Sequence, residues 1–251
     1  TDQEIYTLVY GTSSAPSIPS TVPMSGLIGY WPFDGNANDL SVNQNHGTVS
    51  GAVLSNDRNG AALKSYYFDG IDDLITVPTL NFPVGGTART FAFWVNYSSS
   101  IQPSPFNDMS SALSYGAVSA NCTQMSVLLT NNGKISLNGG CSTIPTTTGN
   151  NAIGLNSWQH IATTINSDTV RIYVNGILSN TFTGVSFNTT NSLTAYFGKF
   201  LNPNNASQKY HLKGYLDEMA IWGRKLTDQE IYTLVYGTSS APSIIGGASL
   251  D

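Results

Sequence analysis

The chain has 251 residues, of which 10% are charged, against about 25% in an average soluble domain, and its net charge is −5 with 10 Lys+Arg. No basic cluster is present, which excludes phosphate-driven nucleic-acid binding. No apolar run reaches the roughly 20 residues of a membrane-spanning helix, so helical membrane insertion is excluded as well.

In chain order, the first feature is a duplication. Thr1–Ile18, TDQEIYTLVYGTSSAPSI, recurs without change at Thr227–Ile244. An identical run of that length is not a chance event, so tandem repeats are expected in a parent protein. Residues 1–10 then read as the tail of a preceding repeat and 11–26 as a Ser/Pro-rich linker. Residues 27–237 read as one domain, and 238–251 as the start of the next linker or an appended tail.

Within the domain, Asp34–Asp39 and Phe68–Asp73 are acidic, Gly-containing turns. Phe91, Phe93, Val95 and Tyr97 alternate with Ala92, Trp94 and Asn96, the period of a strand with two covered faces. Met125–Thr130 and Lys134–Leu137 flank Asn132-Gly133, which predicts a hairpin with a type I′ turn. Cys122 and Cys141 bracket this hairpin. A disulfide between them points to an oxidising compartment, and the alternative is two separate thiols. Val170–Val174 and Ile177–Phe182 flank Asn175-Gly176, a second type I′ signal. Leu193–Phe200 and Gly214–Trp222 are further strands.

The end of the domain carries helix signals. Thr227 and Glu230 make a capping box, Leu226 and Ile231 a hydrophobic staple, and Gly237 a stop, so a helix is predicted over Asp228–Tyr236. Many short strands between Gly/Asn turns, with one short C-terminal helix, predict an all-β, two-sheet antiparallel sandwich or jelly roll.

Two segments resemble a known family. GYWPFDGNANDLSVNQNHGTVSGAVLSNDRNGAALKSYYFDGIDDLITVP from Gly29 and GYLDEMAIWGRKLTDQEI from Gly214 are similar to the laminin G-like / concanavalin A-like lectin and glucanase superfamily. Asn56–Gly60 is close to the D-R-x-G turn of that family, and Leu216 stands where Ile is usual. The resemblance implies two curved sheets packed face to face, a secreted or cell-surface setting and a structural calcium.

Calcium needs six to eight oxygen ligands. Asp34 and Asp217 are expected to contribute carboxylates, with Asn36 and His46 contributing mainly backbone oxygens. Asp39 is expected to be a turn-maker that accepts from nearby amides, and Asp69, Asp72 and Asp73 to cap backbone N–H groups.

Catalytic patterns are missing from the sequence. There is no G-x-S-x-G, H-E-x-x-H, P-loop or E-x-D-x-E strand. The neighbours Asp217 and Glu218 are expected on opposite faces of a strand, where they cannot flank one glycosidic bond. The expected function is therefore non-catalytic: carbohydrate binding or adhesion, with a glycan or surface protein as ligand and adjacent repeats as neighbours. The alternative is a spacer or protein-adhesion repeat. Tyr97, Tyr115 and Tyr210 are the expected ligand-facing rings, while Trp31, Trp94 and Trp158 are expected in the core.

Overall fold

The computed structural model describes residues 17–98, 109–117, 123–139, 146–201 and 209–237. The first copy of the duplicated helix sequence, both cysteines and residues 238–251 lie outside the described residues, and with them the expected repeat tail, disulfide and following linker.

Sixteen strands and one helix form the described fold. They are β1 (Leu27–Trp31), β2 (Thr48–Ser50), β3 (Val53–Ser55), β4 (Ser65–Asp69), β5 (Leu74–Pro78), β6 (Arg89–Tyr97), β7 (Met109–Gly116) and β8 (Gln124–Thr130). There follow β9 (Ile135–Asn138), β10 (Trp158–Asn166), β11 (Thr169–Val174), β12 (Ile177–Phe182), β13 (Thr194–Phe197), β14 (Lys199–Leu201), β15 (Lys209–His211), β16 (Lys213–Trp222) and α1 (Asp228–Tyr236). The larger sheet runs β12-β11-β10-β6-β16-β4-β3, with β1 also on β16; the second runs β2-β5-β13-β7-β8-β9, and β14-β15 form a separate ribbon. All pairings between named strands are antiparallel.

The main core lies between the two sheets. Phe91, Phe93 and Val95 of β6 meet Ile75, Leu113, Val127 and Phe197 of the second sheet. Trp31 is fully buried there, edge-on to Phe197 at 4.9 Å. Each such side chain contributes about 1.5–3 kcal/mol by leaving water.

The larger sheet also carries a second apolar cluster on its outer face. One rung across five strands reads Tyr173, Ala162, Ala92, Ala220 and Tyr30. The three alanines clear a trough between the tyrosines. Trp222, Leu226, Val22 and Ile231 of α1 pack in the same cluster. Residues 17–26, the described part of the expected 11–26 linker, pack here: Val22 is buried, and Trp222 Nε1 donates to the Pro23 carbonyl at 2.7 Å.

The helix has its expected bounds. Thr227 Oγ1 accepts from Glu230 N–H, the Glu230 carboxylate accepts from Thr227 N–H, and the staple residues Leu226 and Ile231 are buried. The two Asn-Gly turns differ. Asn175 and Gly176 both have positive φ, 48° and 76°, as a type I′ turn requires. At the other hairpin only Gly133 is positive, and Gly133 N–H bonds the Thr130 carbonyl at 2.9 Å. The loop is therefore three residues long with Gly133 in the left-handed position, which corrects the predicted type I′ turn.

The expected strand Leu193–Phe200 is split at Gly198, between β13 in the second sheet and β14 in the ribbon. Gly198 has φ +79°, and a Cβ there would lie 2.5 Å from the Phe68 ring, so only glycine fits this crossing.

Candidate functional site

The candidate site is on the outer face of the larger sheet, where β16 changes partners. Lys213–Leu216 pair with β4, and Met219–Trp222 pair with β1 along the same edge. At the change-over β16 bulges. On its other edge Asp217 opposes Trp94 and Ala220 opposes Ala92, so Glu218 and Met219 together span one residue of β6. Glu218 takes φ +48° to make this possible.

The bulge corrects the expectation that Asp217 and Glu218 point apart. Both carboxylates hold the guanidinium of Arg58: Nη1 donates to Asp217 Oδ2 at 3.0 Å and Nη2 to Glu218 Oε1 at 2.9 Å. The β3–β4 loop delivers Arg58 from a tight turn in which Asp57 Oδ1 accepts from Asn59 and Ala61 N–H, both at 2.8 Å. The Arg58 guanidinium also lies over the Trp94 ring, 4.4 Å from its centroid. Arg58 had its motif recognised in the sequence but no role. In a chain so poor in charge, a cation fixed in a tight turn is the signal that marks it.

Beneath this clamp two ring nitrogens are enclosed. The Trp94 ring packs edge-on to His160 at 5.4 Å, and Trp94 Nε1 and His160 Nδ1 are both buried with no hydrogen-bond partner. Burial and then the Arg58 charge push His160 down to about 3, so the imidazole is neutral. Burial and then the Glu218 carboxylate push Asp217 up to about 8, and Arg58 only partly offsets this. Burial, followed by Glu218, Asp217 and Asp34, drives the Tyr30 hydroxyl upward too.

One rung further along the sheet lies a row of rings. Tyr67 pairs with Tyr215, Tyr215 with Asn96, and Asn96 with Trp158. Residues directly opposite in a ladder share a face. Leu216 and Val95, the alternate residues, point into the core, so this rung points outward. Tyr67 and Tyr215 have centroids 5.0 Å apart, and Trp158 and Tyr215 5.9 Å. All three rings and Trp94 are only partly buried. With those spacings the row of rings is at most about 11 Å long between its outer centroids. Lys213 and Asp69 face each other in the next outward rung, so polar groups border the rings on that side.

The expected ligand-facing rings are elsewhere, and inside. Tyr97 is buried with its hydroxyl donating to Asn131 Oδ1 at 2.9 Å. Tyr115 is buried with its hydroxyl donating to the Pro83 carbonyl and accepting from Arg89. Tyr210, in the ribbon itself, is buried against Phe200 and Leu128. Strand parity decides this: Tyr97 shares the inward parity of Phe91, Phe93 and Val95. Parity also removes Trp94 and Trp158 from the expected core and leaves Trp31 in it.

The two carboxylates expected to hold calcium are paired with cationic side chains as arranged. Asp34 Oδ2 holds the Lys64 ammonium at 2.9 Å, and Asp217 holds Arg58. Asn36 Oδ1 accepts from Asn38 N–H, and His46 Nδ1 from Asp39 N–H. An ion shared by Asp34 and Asp217 has to displace two cationic side chains. Asp39 is a buried turn-maker, accepting from Ser41, Asn45 and Tyr30 N–H. Asp69, Asp72 and Asp73 have ligand atoms within 4.8 Å of one another. Two of them spend oxygens inside the turn: Asp73 Oδ2 accepts from Asp69 N–H and Asp69 Oδ1 from Ile71 N–H.

A family model described as the concanavalin A-like lectin/glucanases superfamily, of laminin G type, matches residues 69–232. Among solved structures, domain 4 of AbnA, a GH43 extracellular arabinanase from Geobacillus stearothermophilus, in complex with arabinotriose, is similar with TM-score 0.60 and 18% identity over 83% of this chain and 98% of that one. The binding domain of botulinum neurotoxin serotype D is similar with TM-score 0.63 and 16% identity over 85% of this chain and 52% of that one. The serotype D ligand-binding domain in complex with N-acetylneuraminic acid gives TM-score 0.62 and 14% identity over 85% and 51%. This chain thus spans about half the length of the neurotoxin domains. No curated protein sequence matches it. At these identities the structural likeness is one of fold.

Proposed function

The chain belongs to the concanavalin A-like lectin/glucanases superfamily, and from that premise we propose that it is a non-catalytic glycan-binding module that works outside the cytoplasm. The observation that carries the reading is the outward row Tyr67–Tyr215–Trp158 with Asn96 inside it. The C–H face of a pyranose is weakly positive and apolar. It stacks on the negative face of an aromatic ring, while ring hydroxyls bond the side-chain amide and charged groups alongside. A row of up to about 11 Å suits an oligosaccharide more than one sugar.

The charged clamp supports a binding role over a hydrolytic one. A glycosidase needs a carboxyl pair on either side of the scissile bond, one of them able to deliver a proton. Asp217 and Glu218 instead share one guanidinium, and Asp217 is buried. The fold relatives crystallised with arabinotriose and with N-acetylneuraminic acid agree with a saccharide ligand in general and do not specify which.

The test is a glycan array with the intact chain, then titration of a bound oligosaccharide against Trp158→Ala and Tyr215→Ala. Losing one stacking ring lowers affinity about tenfold or more, with the far-UV spectrum unchanged. A silent array, or full binding by both variants, rejects this reading. Silence favours the spacer or adhesion-repeat alternative suggested by the duplicated segment.

A further inference from the structure

On the other side of the α1 cluster from the aromatic row, the same outer face holds a small polar cavity of about 150 Å³, lined by Thr164, Asn166, Thr169, Arg171 and Lys225. Its floor is the end of the β10–β11 hairpin, where Thr164 pairs with Arg171 and Asn166 with Thr169. Lys225 closes it from the segment between β16 and α1.

The lining itself carries two cationic side chains and no carboxylate. The whole chain has 10 Lys+Arg, and two of them converge here. Two carboxylates border the lining: Asp228, 3.3 Å from Arg171 Nη1 and already accepting from the Tyr173 hydroxyl at 2.7 Å, and Asp168, which accepts from the Thr169 hydroxyl at 3.2 Å. Arg171 Nε has no hydrogen-bond partner, and Lys225 Nζ has none among the described residues. The rest of the lining is hydroxyls and an amide. Donors therefore exceed acceptors, and an anion with several acceptor oxygens is the complement. The volume corresponds to about five waters at roughly 30 Å³ each, so it admits one charged substituent and not a whole oligosaccharide.

We propose that this cavity binds the carboxylate or sulfate-ester group of an acidic saccharide. The saccharide part rests on the glycan-binding reading above, while recognition of the anion stands on the cavity alone. Arg171 and Lys225 supply the charge, and Thr164 and Asn166 supply neutral donors.

The experiment is a ¹⁵N–¹H titration of the intact chain in low salt with sodium glucuronate, sodium sulfate and, as the neutral probe, glucose. Glucuronate or sulfate shifts the amides of Thr164, Asn166, Thr169 and Lys225, and glucose does not. A response to glucuronate assigns the cavity to carboxylates, and one to sulfate alone assigns it to sulfate esters. Lys225→Gln weakens the response about tenfold, and 0.5 M NaCl weakens it further because the contact is partly exposed. Trp158→Ala leaves it unchanged, so this test and the array test fail separately. No shift with either anion, or native affinity in a folded Lys225→Gln, overturns the proposal.

Discussion

The most demanding prediction concerns Arg58→Met, which keeps an apolar stem on Trp94 and removes the charge. The variant loses two charge-assisted hydrogen bonds, of 3.0 and 2.9 Å, and the cation over the indole. The two bonds are unequal. Glu218 is 29% exposed and can turn to water, so its share is small. Asp217 is 3% exposed and sheds its unpaired charge only by taking a proton, which from about 8 costs about 1.4 kcal/mol at pH 9. For a domain of this size that is a fall in Tm of roughly 3–6 °C.

The cost depends on pH, and its sign follows from proton counting. Asp217 sits at about 8 in the folded protein, against 3.8 for an ordinary aspartate. Between those values the folded state binds the extra proton, so this group makes stability fall as pH rises through the window. Without the guanidinium the folded value rises further and the window widens upward. At pH 5 both proteins hold Asp217 neutral, and the variant loses only a contact to an uncharged carboxyl. At pH 9 it has lost the counter-charge of a buried carboxylate. Urea midpoints for the native chain, Arg58→Met, Asp217→Asn and the double variant, at pH 5 and 9, measure this directly. The loss at pH 9 exceeds that at pH 5, and the double variant recovers most of it. A loss below about 1 kcal/mol at pH 9, or equal losses at both pH values, refutes the reasoning.

Three further outcomes follow. Thr227→Ala removes the helix cap and costs about 1 kcal/mol in urea denaturation at pH 7. Arg224 beside it holds Glu230 down at about 2, so that pair contributes above the ordinary carboxylate value and is lost as pH falls from about 4.5 towards 2. The His160 ring, held down at about 3, stays neutral by NMR at pH 5; because the unfolded ring takes a proton near 6.5, stability from this group falls as pH drops below 6.5. Finally, calcium or EDTA moves Tm by no more than about 1 °C, since Asp34 and Asp217 are already ion-paired. A clear rise with calcium restores the single-ion reading of those two carboxylates.

Local grammar was legible in the sequence wherever one short segment decides its own conformation. The capping box with its staple named α1 to the residue, and Asn175-Gly176 named its turn, because each needs only a few adjacent groups. Asn132-Gly133 looked the same and behaved otherwise, since the loop takes in Asn131 as well. Period-two alternation gave the sandwich. It also held the answer for the tyrosines: nearness to a loop suggested that Tyr97 and Tyr115 reach solvent, but their parity with Phe93 and Leu113 sends them inward.

The candidate site was harder to read because two non-local facts create it. One is the bulge. Strand logic puts Asp217 and Glu218 on opposite faces, and nothing in that dipeptide announces a left-handed backbone at a glutamate. The bulge forms because β16 gives the first half of one edge to β4 and the second half to β1, and the gap between them admits a guanidinium from a distant turn. The other is register. Tyr67, Asn96, Trp158 and Tyr215 are scattered along the chain and become one row only when four strands align rung by rung. A slip of one residue in β16 turns Tyr215 inward and Leu216 outward, which abolishes the row and costs the core a leucine. The buried clamp on Asp217 opposes that slip, because shifting β16 pulls its carboxylate away from Arg58. The ion pair and the aromatic row are thus coupled: the charge that the sheet face tolerates at one rung fixes the register that presents the rings at the next.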